Sequence, residues 1–144
     1  MQLLLSESEE FGKHAGLDII PGQVLRFPSG KVPQVGWNQI FPNSKAATFL
    51  SGLEGEYMYF VHSYYVKPEN PEVIASISHY EGVTYCSSLR WKNICATQYH
   101  PEKSAYKGLQ IYKNWAGMIG SSSKGQGAKA IEKPVPLSSV PLAP

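Results

Sequence analysis

The segment "TQYHPEKS", residues 97–104, sets a histidine and a carboxylate two positions apart across a proline. Pro101 disfavours the helical conformation at His100, so this stretch should be extended. In an extended chain, side chains at i and i+2 point to the same side, and His100 and Glu102 can share one site. A carboxylate accepting from one imidazole nitrogen fixes the tautomer and supports the protonated ring. The other nitrogen is then free to act as base, then acid, for a nucleophile. That is two-thirds of a catalytic triad. The competing reading is an ordinary histidine beside a solvated glutamate, since short H-x-E matches are common by chance.

Such a pair needs a strand in front of it and a rigid element behind it. "VIASISHYEGVTYCSSLRWKNICATQYH" reads as strands over about 73–80, 83–89 and 93–99. The joins "YEGV" and "RWKN" suit tight turns, which predicts consecutive antiparallel pairing. "YMYFVHSYYV" at 57–66 is the clearest strand, dense in aromatic and β-branched residues. Behind the motif, Leu109, Tyr112, Trp115 and Ile119 recur at helical spacing, which predicts a helix from about Ser104 to Trp115 with that face buried. Residues 2–11 read as a short helix stopped by Gly12, followed by glycine- and proline-rich pieces of strand length. From Gly117 onward glycine, serine and proline dominate without apolar period, so 117–144 is expected to be a flexible tail beyond a domain at 1–116.

Composition narrows the function classes. The 144 residues suffice for one domain, and a 42% hydrophobic content makes the bulk globular. A formal net charge of +2 is too small to point to nucleic acid or an anionic membrane. The apolar start Met1–Leu5 is too short for a signal or a membrane span and runs into Glu7, Glu9 and Glu10. Cys86 and Cys95, the two cysteines, show neither metal nor disulfide spacing, and read as reduced, buried thiols of a cytoplasmic protein.

Four motifs in order carry a resemblance. "IIPGQVLRF", "KVPQVGWNQI", "YFVHSYYVKP" and "QYHPEKS" with its following helix resemble the class I, triad-type glutamine amidotransferases over about residues 1–116. Within that family they are most similar to the glutaminase subunits of imidazole glycerol phosphate synthase, an enzyme of histidine biosynthesis. The resemblance implies an α/β fold of flavodoxin-like type: part of a mainly parallel sheet with helices and an antiparallel strand group. It also implies His100 as acid–base and Glu102 as its orienting carboxylate. Gln2 would help hold the glutamine substrate, and Ser63 and Tyr64 would flank it, whereas His62 in the same stretch reads as structural. Trp37, Asn38, Tyr59 and Lys103 match positions facing a cyclase partner, so a heterodimer is implied. The family commonly shows "PHMGW" where this chain has "PQVGW", so Gln34 and Val35 depart from the partner-face pattern. No metal or organic cofactor is implied.

Met1-Gln2 matches a Met-Gln that follows the family's G-x-C-x-G nucleophile elbow. The chain is therefore expected to begin just after that elbow, as a C-terminal fragment without the nucleophile. Cys86 in "TYCSS" and Cys95 in "NICAT" are strand-like, with no glycine turn and no helix after them, so neither is expected to substitute. Two other readings stay open: a paralogous amidotransferase for surface-sugar modification, and a catalytically dead, truncated binding module.

Overall fold

A computed structural model describes residues 1–43 and 47–122. Its strands are β1 (Leu5–Ser8), β2 (His14–Ala15), β3 (Ile20–Arg26), β4 (Gln34–Gln39), β5 (Phe41–Pro42), β6 (Tyr57–His62), β7 (Tyr64–Pro68), β8 (Ile74–Tyr80), β9 (Val83–Trp91) and β10 (Ile94–Thr97). One α-helix among the described residues, α1 (Ala105–Ser122), closes the order. The architecture is α/β. The main sheet runs β2-β1-β3-β7-β9-β8-β5 with β10 beside β9, and β4 pairs with β6 as a separate ribbon. Only β1 and β3 pair in parallel among the described strands; the remaining pairs are antiparallel, so the mainly parallel character expected of the sheet is absent from this part of it.

The β8–β9–β10 meander follows the pattern read from the sequence. Glu81 and Gly82 both hold positive φ (46° and 78°), the backbone a two-residue hairpin turn demands. Lys92 does the same at 53° in the next turn. The strand expected over 57–66 is interrupted instead. It breaks at Ser63, where the chain leaves the β4–β6 ribbon and enters the main sheet as β7.

The opening segment departs further. Only Gln2–Leu4 form a turn of 3-10 helix, and Leu5–Ser8 are a strand rather than the continuation of a helix. Leu5, completely buried, pairs with Ile20 of β3 and packs with Val24, Val66 and Leu89. Tertiary burial of one leucine outweighs the weak helical preference of a short polar segment.

Helix α1 is longer than expected, reaching Ser122, so the tail predicted from Gly117 starts inside it; residues 123–144 lie outside the described residues. Its orientation is also reversed. Ile111 and Gly108 face the core, while Leu109, Tyr112 and Trp115 are exposed. Gly108 explains the reversal: a Cβ there would lie 1.9 Å from the Pro101 carbonyl oxygen, so the helix approaches the "HPEKS" segment along its smallest residue. Asn114 completes the inner face by donating to the carbonyls of Phe49 (3.2 Å) and Ser51 (3.0 Å). No described helix is long and apolar enough to cross a membrane, which leaves β-barrels unaddressed.

Candidate active site

The site is assembled where β10, β6 and α1 meet. After β10, the Gln98 N–H donates to the Ser87 carbonyl at 2.8 Å, keeping the chain on the sheet. The Tyr99 side chain drops into the core against Phe60, with ring centroids 5.4 Å apart. His100 follows in an extended conformation (φ −101°, ψ 97°), and Pro101–Lys103 turn as a single 3-10 loop. Tyr99 and Pro101 are buried on either side of His100, so its ring is held outward by its neighbours.

His100 Nδ1 lies 2.8 Å from Glu102 Oε1. A carboxylate only accepts, so Nδ1 carries the proton and Nε2 remains for the cleft. The Glu102 carboxyl sits below its ordinary pKa, held down first by its own backbone N–H and then by His100. It is thus ionised throughout the neutral range and able to orient the ring.

Ser104 ties this loop down, although its type and position attracted no role in the sequence. Its hydroxyl donates to the His100 carbonyl at 2.6 Å and accepts from the Tyr59 N–H at 3.0 Å. The His100 N–H donates to the Tyr59 carbonyl at 2.9 Å. One strand residue therefore holds both ends of the "HPEKS" loop. The helix then begins at Ala105 with φ of 51°, a strained start for a residue with a Cβ.

His100 and Glu102 line an open cleft of about 1120 Å³ that Gln2, Ser63 and Tyr64 also line. Gln2 Nε2 donates to the Tyr64 carbonyl at 2.8 Å and lies 3.3 Å from Gln98 Oε1. All five residues expected at the catalytic and substrate positions converge on this one space. Gln98 is the residue the sequence reading passed over. Its position two residues before the extended His100 was the available signal, while Glu102 arrives through the 3-10 turn.

The residues expected to face a partner lie elsewhere, none of them on the cleft wall. Trp37 (54% exposed) stands opposite Tyr59 across the β4–β6 ribbon, with the rings edge-to-face at 6.0 Å. Val35, Tyr57 and Val61 extend the same exposed apolar face. Asn38 alternates to the other side and donates to the His79 carbonyl at 2.9 Å. Lys103 is exposed on the turn beside Glu102.

Neither cysteine has the setting of a nucleophile. Burial pushes the Cys86 thiol up to about 12, and its Sγ donates to the Ser88 carbonyl inside the sheet. Cys95 reaches the cleft wall but stands on β10, and burial raises its pKa as well. Among the described residues, no cluster of three or more metal-ligating side chains occurs.

A His–Glu pair just after a sheet strand, over an open cleft, is the acid–base part of a triad. The glutamine amidotransferase class-I family matches residues 1–116, and the chain belongs to that family. More particularly, it is 48% identical over 118 residues to the imidazole glycerol phosphate synthase subunit HisH of Chlorobaculum tepidum, covering 81% of this chain and 59% of that protein. It is 50% identical over 126 residues to the HisH subunit of Syntrophotalea carbinolica, covering 82% and 61% respectively. The chain thus spans about three-fifths of the length of these relatives. A crystal structure of a Thermoplasma acidophilum protein, provisionally assigned to GMP synthase, shares the fold. Its TM-score is 0.54 at 22% identity, over 72% of this chain and 51% of that one.

Proposed function

We propose that this chain contributes the acid–base pair and the substrate-flanking strand of a glutaminase, the one that feeds ammonia to the cyclase subunit of imidazole glycerol phosphate synthase in histidine biosynthesis. The observation that carries this reading is the meeting of His100–Glu102 with Gln2, Ser63 and Tyr64 at one cleft. In such a reaction a cysteine thiolate attacks the glutamine carboxamide carbon. His100 protonates the departing ammonia, the acyl group stays on sulfur as a thioester, and His100 then takes a proton from the water that releases glutamate. Glu102 holds the ring for both steps. The apolar face of Trp37, Tyr59, Val35 and Tyr57, with Lys103 beside it and Asn38 bracing the ribbon from its other side, is the surface for the cyclase in a cytoplasmic heterodimer.

The test is a chimera in which residues 1–116 replace the matching stretch of the Chlorobaculum tepidum subunit. With that organism's cyclase subunit it should release glutamate from glutamine and form the cyclised product. A folded chimera that binds the cyclase and releases no glutamate would overturn the reading.

A second reading, a partner-binding module without chemistry of its own, is favoured by the settings of Cys86 and Cys95. It predicts that the 144-residue chain by itself binds the cyclase and yields no glutamate above background. Activity lost on Cys95→Ser would sink this second reading.

A further inference from the structure

The glutamine-flanking strand has a buried polar support that its exposed face does not reveal. His62 is 7% exposed and packs among the rings of Phe27, Phe60 and Tyr85, with centroids 5.3, 5.6 and 5.4 Å away. Its Nδ1 lies 2.8 Å from the Tyr64 carbonyl oxygen. A carbonyl can only accept, so Nδ1 bears the proton and Nε2 is bare. Nε2 faces the Tyr85 hydroxyl at 3.5 Å, and that hydroxyl donates to Gln34 Oε1 at 2.9 Å. Gln34 is itself buried at the start of β4. The one hydroxyl proton of Tyr85 goes to Gln34, so the 3.5 Å approach to Nε2 is a packing contact rather than a hydrogen bond, and three residues far apart in the chain line up as a polar thread of contacts through an apolar layer.

The thread ends at a demanding place. At Ser63 the chain passes from the ribbon to the main sheet, so Ser63 is a bend and Tyr64 the first residue of the strand that follows it. The Ser63 carbonyl is held by the Phe27 N–H at 3.1 Å, and the Tyr64 carbonyl receives both His62 Nδ1–H and Gln2 Nε2–H. Removal of the His62 donor leaves the Tyr64 carbonyl with one side-chain donor, Gln2, at the end of its pairing with Arg26 of β3. Burial also keeps the ring neutral, with its pKa lowered to about 4, so the same nitrogen stays protonated over the neutral range.

We propose that His62 is a positioning residue for glutamine: its Nδ1–H fixes the Tyr64 peptide in the orientation that receives the substrate, and Tyr85 with Gln34 seats the ring. This rests on the glutaminase reading above, in which Ser63 and Tyr64 flank the glutamine. His62 touches no reacting atom, and it acts through the backbone of the bend.

The experiment is a titration of L-glutamine into the 15N-labelled 144-residue chain, read at the Ser63 and Tyr64 amides, beside the imidazole 15N shifts of His62. The wild type should show the Nδ1–H tautomer and glutamine-dependent shifts at both amides. His62→Phe fills the space without a donor and should weaken binding about tenfold, the worth of one hydrogen bond. His62→Asn, whose side-chain amide can replace the Nδ1 donor, should recover most of that loss, a rescue that a merely space-filling role would not give. Equal glutamine affinity in wild type and His62→Phe would overturn this proposal alone. So would a well-dispersed His62→Asn spectrum with binding no better than His62→Phe. A wild type that shows no glutamine-dependent shift at Ser63 and Tyr64 would overturn the glutaminase reading and this proposal together.

Discussion

His62 and His100 both commit Nδ1 as a donor at 2.8 Å, yet their surroundings assign them different work. His62 bonds a neutral carbonyl within an aromatic layer, where ionisation would bury an unpaired charge. It is a fixed donor. His100 bonds a carboxylate at the cleft rim, where an anion stands beside a half-exposed ring. In the proposed glutaminase it is the proton carrier. Partner charge and access to water separate the two roles, since the ring and its hydrogen-bond distance are the same in both.

The largest effect should come from breaking the His100 side. In the chimeric enzyme, His100→Ala should lower glutamate release by about 10²- to 10⁴-fold with partner binding intact, the usual worth of a positioned acid–base group. A smaller loss would make the rim histidine as passive as the buried one.

The His62 side should be broken by acid rather than by kinetics. A ring whose pKa is about 4 when folded and 6.5 when unfolded is stabilising in its neutral form above pH 6.5. That contribution, up to about 3 kcal/mol, is lost as the pH falls from 6.5 towards 4. Carboxylates titrate in the same window, and Tyr85 and His100 are the titratable side chains acting on the ring. The sharp measurement is therefore the difference in urea unfolding free energy between wild type and His62→Asn at each pH. That difference should shrink or reverse on acidification, and a flat difference would contradict the buried-neutral assignment.

Gly108→Ala tests whether the rim depends on close helix packing. The new methyl meets the Pro101 carbonyl, so the helix must lift, at a cost of about 1 to 3 kcal/mol by thermal or urea unfolding. Glutaminase activity of the chimera should fall more than that of a variant destabilised equally at a site remote from the cleft. Smallest of all should be Lys107→Ala. Its 2.6 Å pair with Glu56 joins α1 to the loop before β6, but both side chains are substantially exposed. A loss below about 1 kcal/mol is expected, fading in high salt.

These two histidines also mark what was legible in the sequence. The His100–Glu102 pair is local, and its closeness in sequence was enough to foresee the contact, although the link is a 3-10 turn at Pro101–Lys103 rather than the extended chain expected there. The meander before it was equally readable, because "YEGV" and "RWKN" state their turns in composition. The His62 thread was not readable, since it joins residues 34, 62 and 85 through the tertiary fold, and no periodicity records it. The helix face was misread for a related reason. Apolar spacing identified Leu109, Tyr112 and Trp115 as the packed side, but packing is limited by close approach, and Gly108 allows the closest. At the start of the chain, a run of leucines suggested a helix, and pairing with β3 decided otherwise.

The outward turn of Trp115 has an optical consequence. This indole lines the cleft at 42% exposure, whereas Trp37 stands at 54% exposure on the β4–β6 ribbon, away from the cleft wall. Indole emission shifts to shorter wavelength as water leaves the ring. Paired variants that replace Trp91 and keep only one of these two tryptophans would give separate colour readings, Trp115 for occupancy of the cleft and Trp37 for coverage of the ribbon. Two of the three native tryptophans can thereby be followed in parallel titrations without any attached dye.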